Sequence, residues 1–81
     1  MKIKEKDLKK ILANLFKMKI SEINDNLSMN NCRKWDSLNH LKMIIAIESK
    51  FDISFQEKEV VNITSFKLIK LYLKKLKVEI L

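Results

Sequence analysis

Two stretches towards the ends of the chain carry apolar residues at the spacing of an amphipathic helix. In the first, apolar residues at i, i+3, i+4, i+7 and i+8 lie opposite lysines, which predicts a helix over about residues 4–18. These residues are Leu8, Ile11, Leu12, Leu15 and Phe16. In the second, the pattern starts after Thr64, which we expect to be the N-cap, and predicts the last helix. Its apolar residues are Phe66, Ile69, Tyr72, Leu73 and Leu76.

The middle of the chain predicts a longer and more apolar helix. Asp36 is a suitable N-cap because its carboxylate can accept a backbone N–H, so the helix begins at Ser37. Apolar residues follow at Leu38, Leu41, Met43, Ile44, Ile45, Ile47 and Phe51. Their arc covers roughly 220° at helical spacing, more than a core-facing stripe needs. One row of them, Leu38, Leu41 and Ile45, is therefore either a docking surface or a face that a small bundle surrounds.

The remaining segments complete the predicted fold. A polar stretch over residues 21–34 separates the first two helices, and a short helix is expected around residues 56–61. We expect four apolar residues to hold the polar stretch to the core: Ile20, Ile23, Leu27 and Met29. The prediction is an all-α fold in a single domain over residues 1–81. It is a four-helix bundle with three main helices, one short helix and a long loop between helices 1 and 2.

The composition excludes several kinds of functional site. Glycine and proline are both absent, which argues against phosphate-binding loops and dinucleotide fingerprints, because these require glycine. With one Cys and one His, Cys32 and His40, the chain has no zinc-ligand set and no Ser/His/Asp triad, and we predict no metal site. We expect Cys32 to be an inert thiol and His40 a solvated side chain rather than a phosphate contact. Because no signal peptide or membrane-spanning run is recognisable, a cytoplasmic protein is expected.

The net charge of +7 suggests nucleic-acid binding, but its distribution argues against that function. The lysine excess lies in residues 1–19 and 65–81, whereas the middle of the chain is nearly neutral. Arginine, which base readout and bidentate phosphate contacts favour, occurs once. A basic helical nucleic-acid-binding domain is the alternative from a different class. We expect a solvated face for the lysines of the last helix, Lys67, Lys70, Lys74, Lys75 and Lys77.

The segment Trp35-Asp36-Ser37-Leu38, with the apolar residues that follow it to Phe51-Asp52-Ile53, resembles the acyl carrier protein family. Members of this family are four-helix carriers that bear 4′-phosphopantetheine on the serine of an Asp-Ser-Leu motif. The similarity covers about residues 7–76. It includes the helix 1 pattern, the long first loop, the motif at the start of helix 2, a short helix 3 and the entry to helix 4.

The resemblance implies a covalent 4′-phosphopantetheine cofactor on Ser37, with Asp36 and Leu38 beside it. A phosphopantetheinyl transferase would attach the arm from coenzyme A with magnesium, and the arm would carry acyl or aminoacyl groups as thioesters. The other implied partners are a loading enzyme and downstream enzymes that use the acyl group. The chain would be a monomeric carrier and not an enzyme, without nucleic acid or stable membrane insertion. Its implied partner surface comprises Leu38, Leu41, Lys42, Ile45 and Glu48.

Helix 2 departs from the acidic carriers of fatty acid synthesis. The positions that carry carboxylates in those carriers are here Asn39, Lys42 and Ser49, with only Glu48 retained. Because complementary charge sets on-rate and partner choice, enzymes tuned to acidic carriers should serve this chain poorly. The motif looks more like stand-alone carriers of polyketide-like, aminoacyl or surface-glycan biosynthesis than like carriers of fatty acid synthesis. A carrier-like interaction module that is never modified is a further alternative. We expect Trp35 to pack as a lid on the bundle.

Overall fold

Three helices of ten or more residues and one short helix form the computed structural model, which describes residues 1–81. This arrangement confirms the predicted all-α class. The helices are α1 (Glu5–Phe16), α2 (Ser37–Phe51), α3 (Glu57–Val60) and α4 (Phe66–Lys75), with a turn of 3₁₀ helix at Ile20–Glu22. Two strands of two residues each, β1 (Lys2–Ile3) and β2 (Glu79–Ile80), complete the fold. No helix has both the length and the apolar character needed to cross a membrane.

The helices bury most residues of their predicted apolar patterns, but Leu76 lies beyond the end of α4 and is exposed, and Ile11, Leu15 and Tyr72 are half-buried. Leu8, Leu12 and Phe16 of α1 are buried, and Ile69 and Leu73 of α4 meet them in one hydrophobic cluster. From α2 this cluster receives Met43, Ile44, Ile47 and Phe51. The row of Leu38, Leu41 and Ile45 is left on the surface. Only one side of α2 therefore contributes to the core, and the side that carries this row is exposed to solvent.

The long loop between α1 and α2 is held by side chains and by backbone pairing. Ile23 and Leu27 are buried as predicted, Met29 is half-buried, but Ile20 is exposed. The loop backbone pairs with the connection before α4: the Phe66 N–H donates to the Leu27 carbonyl at 3.0 Å, and the Met29 N–H donates to the Thr64 carbonyl at 3.0 Å. This pairing fixes the loop across the end of the bundle where α2 begins.

The N-cap of α4 is Ser65, and the prediction of Thr64 was wrong by one residue. The Ser65 Oγ accepts the Leu68 N–H at 3.1 Å, which satisfies a donor in the first turn of α4. Thr64 instead uses its carbonyl to bind the long loop. Both residues are chemically able to cap a helix, so a contact with the distant loop decides between them.

The two short strands join the ends of the described chain in parallel, and the sequence pattern did not predict them. Lys2 pairs with Glu79 and Ile3 with Ile80. Ile3 and Val78 are buried beneath the pairing, and the Leu81 carbonyl accepts the first N–H of α1 from Glu5 at 2.9 Å. Strands this short have no alternation to recognise, since they form only where α1 and α4 bring both segments together.

Candidate functional site at the start of α2

A capped turn presents Ser37 at the first position of α2. The Asp36 Oδ1 accepts the Asn39 N–H at 2.8 Å, which confirms the predicted N-cap. The Asn39 side chain in turn donates to the Lys34 carbonyl at 2.7 Å, so the chain is held on both sides of Ser37. Ser37 itself is exposed. Its hydroxyl is thus accessible at the positive end of the helix, where the N–H groups of Ser37 and Leu38 have no acceptor within the protein.

A cleft of about 300 Å³ opens beside Ser37. Four of its six lining residues are apolar. The lining comprises Met29 from the long loop, Ser37, His40 and Leu41 from α2, and Val60 and Val61 from the end of α3. The site therefore combines a reachable hydroxyl with an adjoining apolar recess, and three separate segments of the chain build it.

His40 is buried, with 7% of its surface exposed, so the expectation of a solvated side chain was wrong. The Trp35 Nε1–H donates to the His40 Nδ1 at 3.0 Å. Because Nδ1 accepts, the other ring nitrogen, Nε2, carries the proton and donates to the Val60 carbonyl at 2.7 Å. His40 of α2 thus links Trp35, which precedes the Asp-Ser-Leu motif, to Val60 of α3 through two hydrogen bonds. His40 and Val60 both line the cleft.

Trp35 packs as a lid, as predicted. It is 2% exposed, and its ring stacks on Phe16 with centroids 5.0 Å apart. Cys32 is also buried, with its Sγ 3.8 Å from the Met18 Sδ. Neither side chain lines the cleft. No group of three His, Cys, Asp or Glu side chains lies together in a way that could hold a metal ion.

An apolar surface continues from the cleft along α2. Leu38, Leu41 and Ile45 are 62%, 53% and 64% exposed, so the bundle does not surround this row. Val61, which the sequence reasoning did not single out, is 71% exposed and lines the cleft together with Leu41. The only signal for it was a pair of valines at the end of a short predicted helix. We call Leu38, Leu41, Ile45 and Val61 the α2 surface.

The charged residues predicted beside this surface behave differently from each other. Lys42 is exposed. Glu48 is half-buried, and its Oε2 accepts the Phe55 N–H at 2.9 Å, which fastens the segment that follows α2. One oxygen of the Glu48 carboxylate is therefore engaged within the protein, which fixes the orientation of this side chain.

One lysine of α4 departs from the predicted solvated face. Lys70 is half-buried, and its Nζ lies 2.7 Å from Asp25 in the long loop and 3.1 Å from Glu5 in α1. Burial acts to lower the pKa of Lys70, but hydrogen bonds to the two carboxylates outweigh it and raise that pKa. The same bond holds the pKa of Asp25 below its usual value. Lys67, Lys74, Lys75 and Lys77 are exposed as expected.

Comparison with known proteins agrees with the geometry at the start of α2. No protein-family model matches the chain. An acyl carrier protein of Buchnera aphidicola subsp. Schizaphis graminum (strain Sg) is 34% identical over 55 residues, which span 68% of this chain and 70% of that protein. With that identity over more than two thirds of both chains, the protein described here belongs to the acyl carrier protein family.

Proposed function

We propose that this chain carries acyl or aminoacyl groups as thioesters on a 4′-phosphopantetheine arm attached to Ser37. One observation carries the proposal: Ser37 is an exposed hydroxyl at the capped start of α2, inside an Asp-Ser-Leu motif and beside an apolar cleft. Family membership supports the same function. The residues fit the cofactor, because free N–H groups and the helix dipole favour a phosphate at this position.

In this function the chain is a substrate of partner enzymes and not a catalyst. The Ser37 hydroxyl oxygen forms a bond to the phosphorus that bears the pantetheine unit of coenzyme A. The bond from that phosphorus to the nucleotide part of coenzyme A breaks, and the hydroxyl proton passes to a base of the transferase, where magnesium offsets the phosphate charge. The long loop and the Asp36 cap hold Ser37 in an open turn, so a transferase can reach the hydroxyl without unfolding the helix.

The α2 surface is the proposed contact for the transferase, the loading enzyme and the enzymes that use the acyl group. Leu41 and Val61 line the cleft beside Ser37, and Leu38 is its neighbour in the chain. Burial of these apolar side chains against a partner would favour the complex. Lys42 lies in the same region, whereas the Glu48 carboxylate is already bonded to the Phe55 N–H. The surface therefore fits partners that are apolar or mildly acidic at the contact, as expected for a specialised pathway rather than an acidic-carrier system.

Intact-mass measurement tests the attachment directly. The purified chain is incubated with coenzyme A, magnesium and a promiscuous phosphopantetheinyl transferase. We expect a gain of one phosphopantetheine group, retained in Ser49→Ala and absent in Ser37→Ala. Ser49 is a matched control because it is an exposed serine on the same helix. If the folded chain gains nothing from its own organism's transferase either, or if Ser37→Ala still gains the group, the proposal is wrong.

Growth of the source organism separates this proposal from an unmodified interaction module. If Ser37 carries the arm, a chromosomal Ser37→Ala substitution should cause the same loss of growth or of the pathway product as deletion of the whole gene. If the Ser37→Ala strain behaves like the parent strain, the chain acts through its surface alone.

A further inference from the structure

A second cleft lies between α4 and the long loop. Its volume is about 260 Å³, and it shares no lining residue with the cleft at Ser37. The lining comprises Asp25, Lys67, Leu68, Lys70, Leu71 and Lys74. We call it the α4 cleft. Nothing in the proposed carrier function uses these residues.

The acidic groups near the α4 cleft are already paired. Lys70 lies between Asp25 and Glu5, and Glu5 also pairs with Lys9. Lys67 and Lys74 are exposed, and neither is in an ion pair. The cleft therefore presents two unpaired positive charges at its rim, and its only carboxylate is bonded to Lys70.

The two free lysines flank an apolar strip. Lys67, Leu71 and Lys74 occupy i, i+4 and i+7 of α4, so they lie on one face of the helix. The rise of an α-helix separates the two lysine Cα atoms by about 10.5 Å. Leu71 is exposed between them, and Leu68 adds to the apolar floor. A complementary ligand would carry two negative charges at the same separation with an apolar group between them.

We propose that the α4 cleft is a second docking surface, for an acidic amphipathic helix of a partner protein. A helix with carboxylates at i and i+7 and an apolar residue between them matches Lys67, Leu71 and Lys74 in charge and spacing. Because the α4 cleft and the α2 surface share no residue, one partner could hold the carrier by α4 while another reaches Ser37. The inference does not depend on the modification of Ser37.

Other anionic partners fit this cleft less well. A membrane surface would require a broad apolar face, but Phe66, Ile69 and Leu73 of α4 are fully buried in the core and Leu71 is the one exposed leucine of the cleft. Single-stranded nucleic acid favours aromatic stacking and arginine, and neither residue type lines the cleft. An exposed leucine between two lysines, with Leu68 beside it, instead suits the apolar ridge of an acidic helix.

Titration with a designed peptide tests the proposal on the unmodified full chain. The probe is an alanine-based helical peptide of about 20 residues, long enough to be helical in water, with glutamates at i and i+7 and leucine at i+4. A peptide of equal composition with the glutamates on opposite faces is its control. Amide chemical shifts of the ¹⁵N-labelled chain should move along α4 and near Asp25 with the first peptide and not with the second.

Charge-reversal variants locate the binding site. We expect Lys67→Glu/Lys74→Glu to weaken peptide binding about tenfold or more, because two attractions become repulsions. Lys42→Glu/Lys50→Glu makes the same change in net charge on exposed positions of α2 and should leave binding within about twofold. Circular dichroism checks that both variants are folded.

Three results would overturn the proposal. The first is absence of binding by the designed peptide at low salt. The second is equal weakening by the α4 and α2 variants, which would reflect overall charge only. The third is binding of the chain to phosphatidylglycerol vesicles or to an oligonucleotide when the peptide does not bind. If Lys67→Glu/Lys74→Glu abolishes that binding, the cleft binds a membrane or a nucleic acid instead. Phosphopantetheinylation of Ser37 is scored separately by mass, so failure of either proposal leaves the other measurable.

Discussion

Replacing His40 by leucine should destabilise the protein, although leucine is more hydrophobic and the site is buried. The change leaves the indole N–H of Trp35 without an acceptor. It also removes one of the two donors to the Val60 carbonyl, which keeps a longer bond from the Ile63 N–H at 3.4 Å. Trp35 is 2% exposed, so water cannot readily replace the lost acceptor. Val60 is half-buried, and its carbonyl can regain water more easily.

The expected cost is a large fraction of the total stability. The unpaired indole N–H costs about 1–3 kcal/mol and the lost bond to Val60 about 1 kcal/mol more, and burial of the leucine side chain offsets part of this. We therefore expect His40→Leu to lower the free energy of unfolding by about 1–3 kcal/mol. A chain of 81 residues has about 4–12 kcal/mol in total. His40→Asn, whose side-chain oxygen can replace Nδ1 as acceptor, should cost only about 1 kcal/mol.

Urea unfolding followed by circular dichroism measures these costs. The midpoint for His40→Leu should fall by about 1–3 M relative to the parent chain. Dichroism is needed because Trp35 is the only tryptophan, and its fluorescence is lost in the companion variant Trp35→Phe. That variant removes the donor from the other side of the same hydrogen bond.

A double-mutant cycle decides whether the hydrogen bond is responsible. Trp35→Phe/His40→Leu removes donor and acceptor together, so its cost should be smaller than the sum of the two single costs by about 1–3 kcal/mol. If the two costs simply add, or if His40→Leu is as stable as the parent chain, the reasoning about this buried pair is refuted.

Three further predictions test other parts of the structure. Because its bond to Lys70 lowers the pKa of Asp25 in the folded state, this carboxylate stabilises the fold above its unfolded pKa of about 3.9, and the contribution disappears as pH falls through the lower folded value. Asp25→Asn should therefore flatten the acid limb of a stability–pH curve measured by urea unfolding; an unchanged limb contradicts the assignment. Ile45→Glu should leave the unfolding free energy within about 0.5 kcal/mol, because the side chain is 64% exposed, yet slow phosphopantetheinylation about tenfold in a mass-based time course; an unchanged rate removes Ile45 from the partner surface. Ser65→Ala should cost about 1 kcal/mol through loss of the α4 N-cap, whereas Ser54→Ala, at an exposed serine without a side-chain hydrogen bond, should cost nothing measurable by thermal unfolding; equal costs would exclude capping as the cause.

The sequence analysis succeeded where the cause lies within a few residues. The spacing of Leu8, Leu12 and Phe16 is enough to define the buried face of α1, because helix periodicity depends only on neighbouring turns. Asp36 needs only the N–H three residues ahead of it to act as a cap. The excess of apolar residues on α2 likewise required no knowledge of the fold, because one side of a helix is sufficient for a small core.

Predictions failed where a residue's partner comes from a distant part of the chain. His40 is a polar residue on a helix, and its burial depends on Val60, 20 residues away. Lys70 belongs to a lysine-rich segment, and only packing of α4 against α1 brings it to Glu5, 65 residues away. Neither contact leaves a local pattern, so neither could be found from spacing or composition.

Local hydrogen bonding and helix periodicity are thus enough to specify the helices, the capped serine and the apolar row that follows it. The cleft beside Ser37 forms only in the folded chain, since α2, α3 and the long loop must converge to line it. The same holds for the terminal strands and the α4 cleft. These features arise between segments whose separation along the chain is large, and the free energy that joins them comes from packing of the shared core.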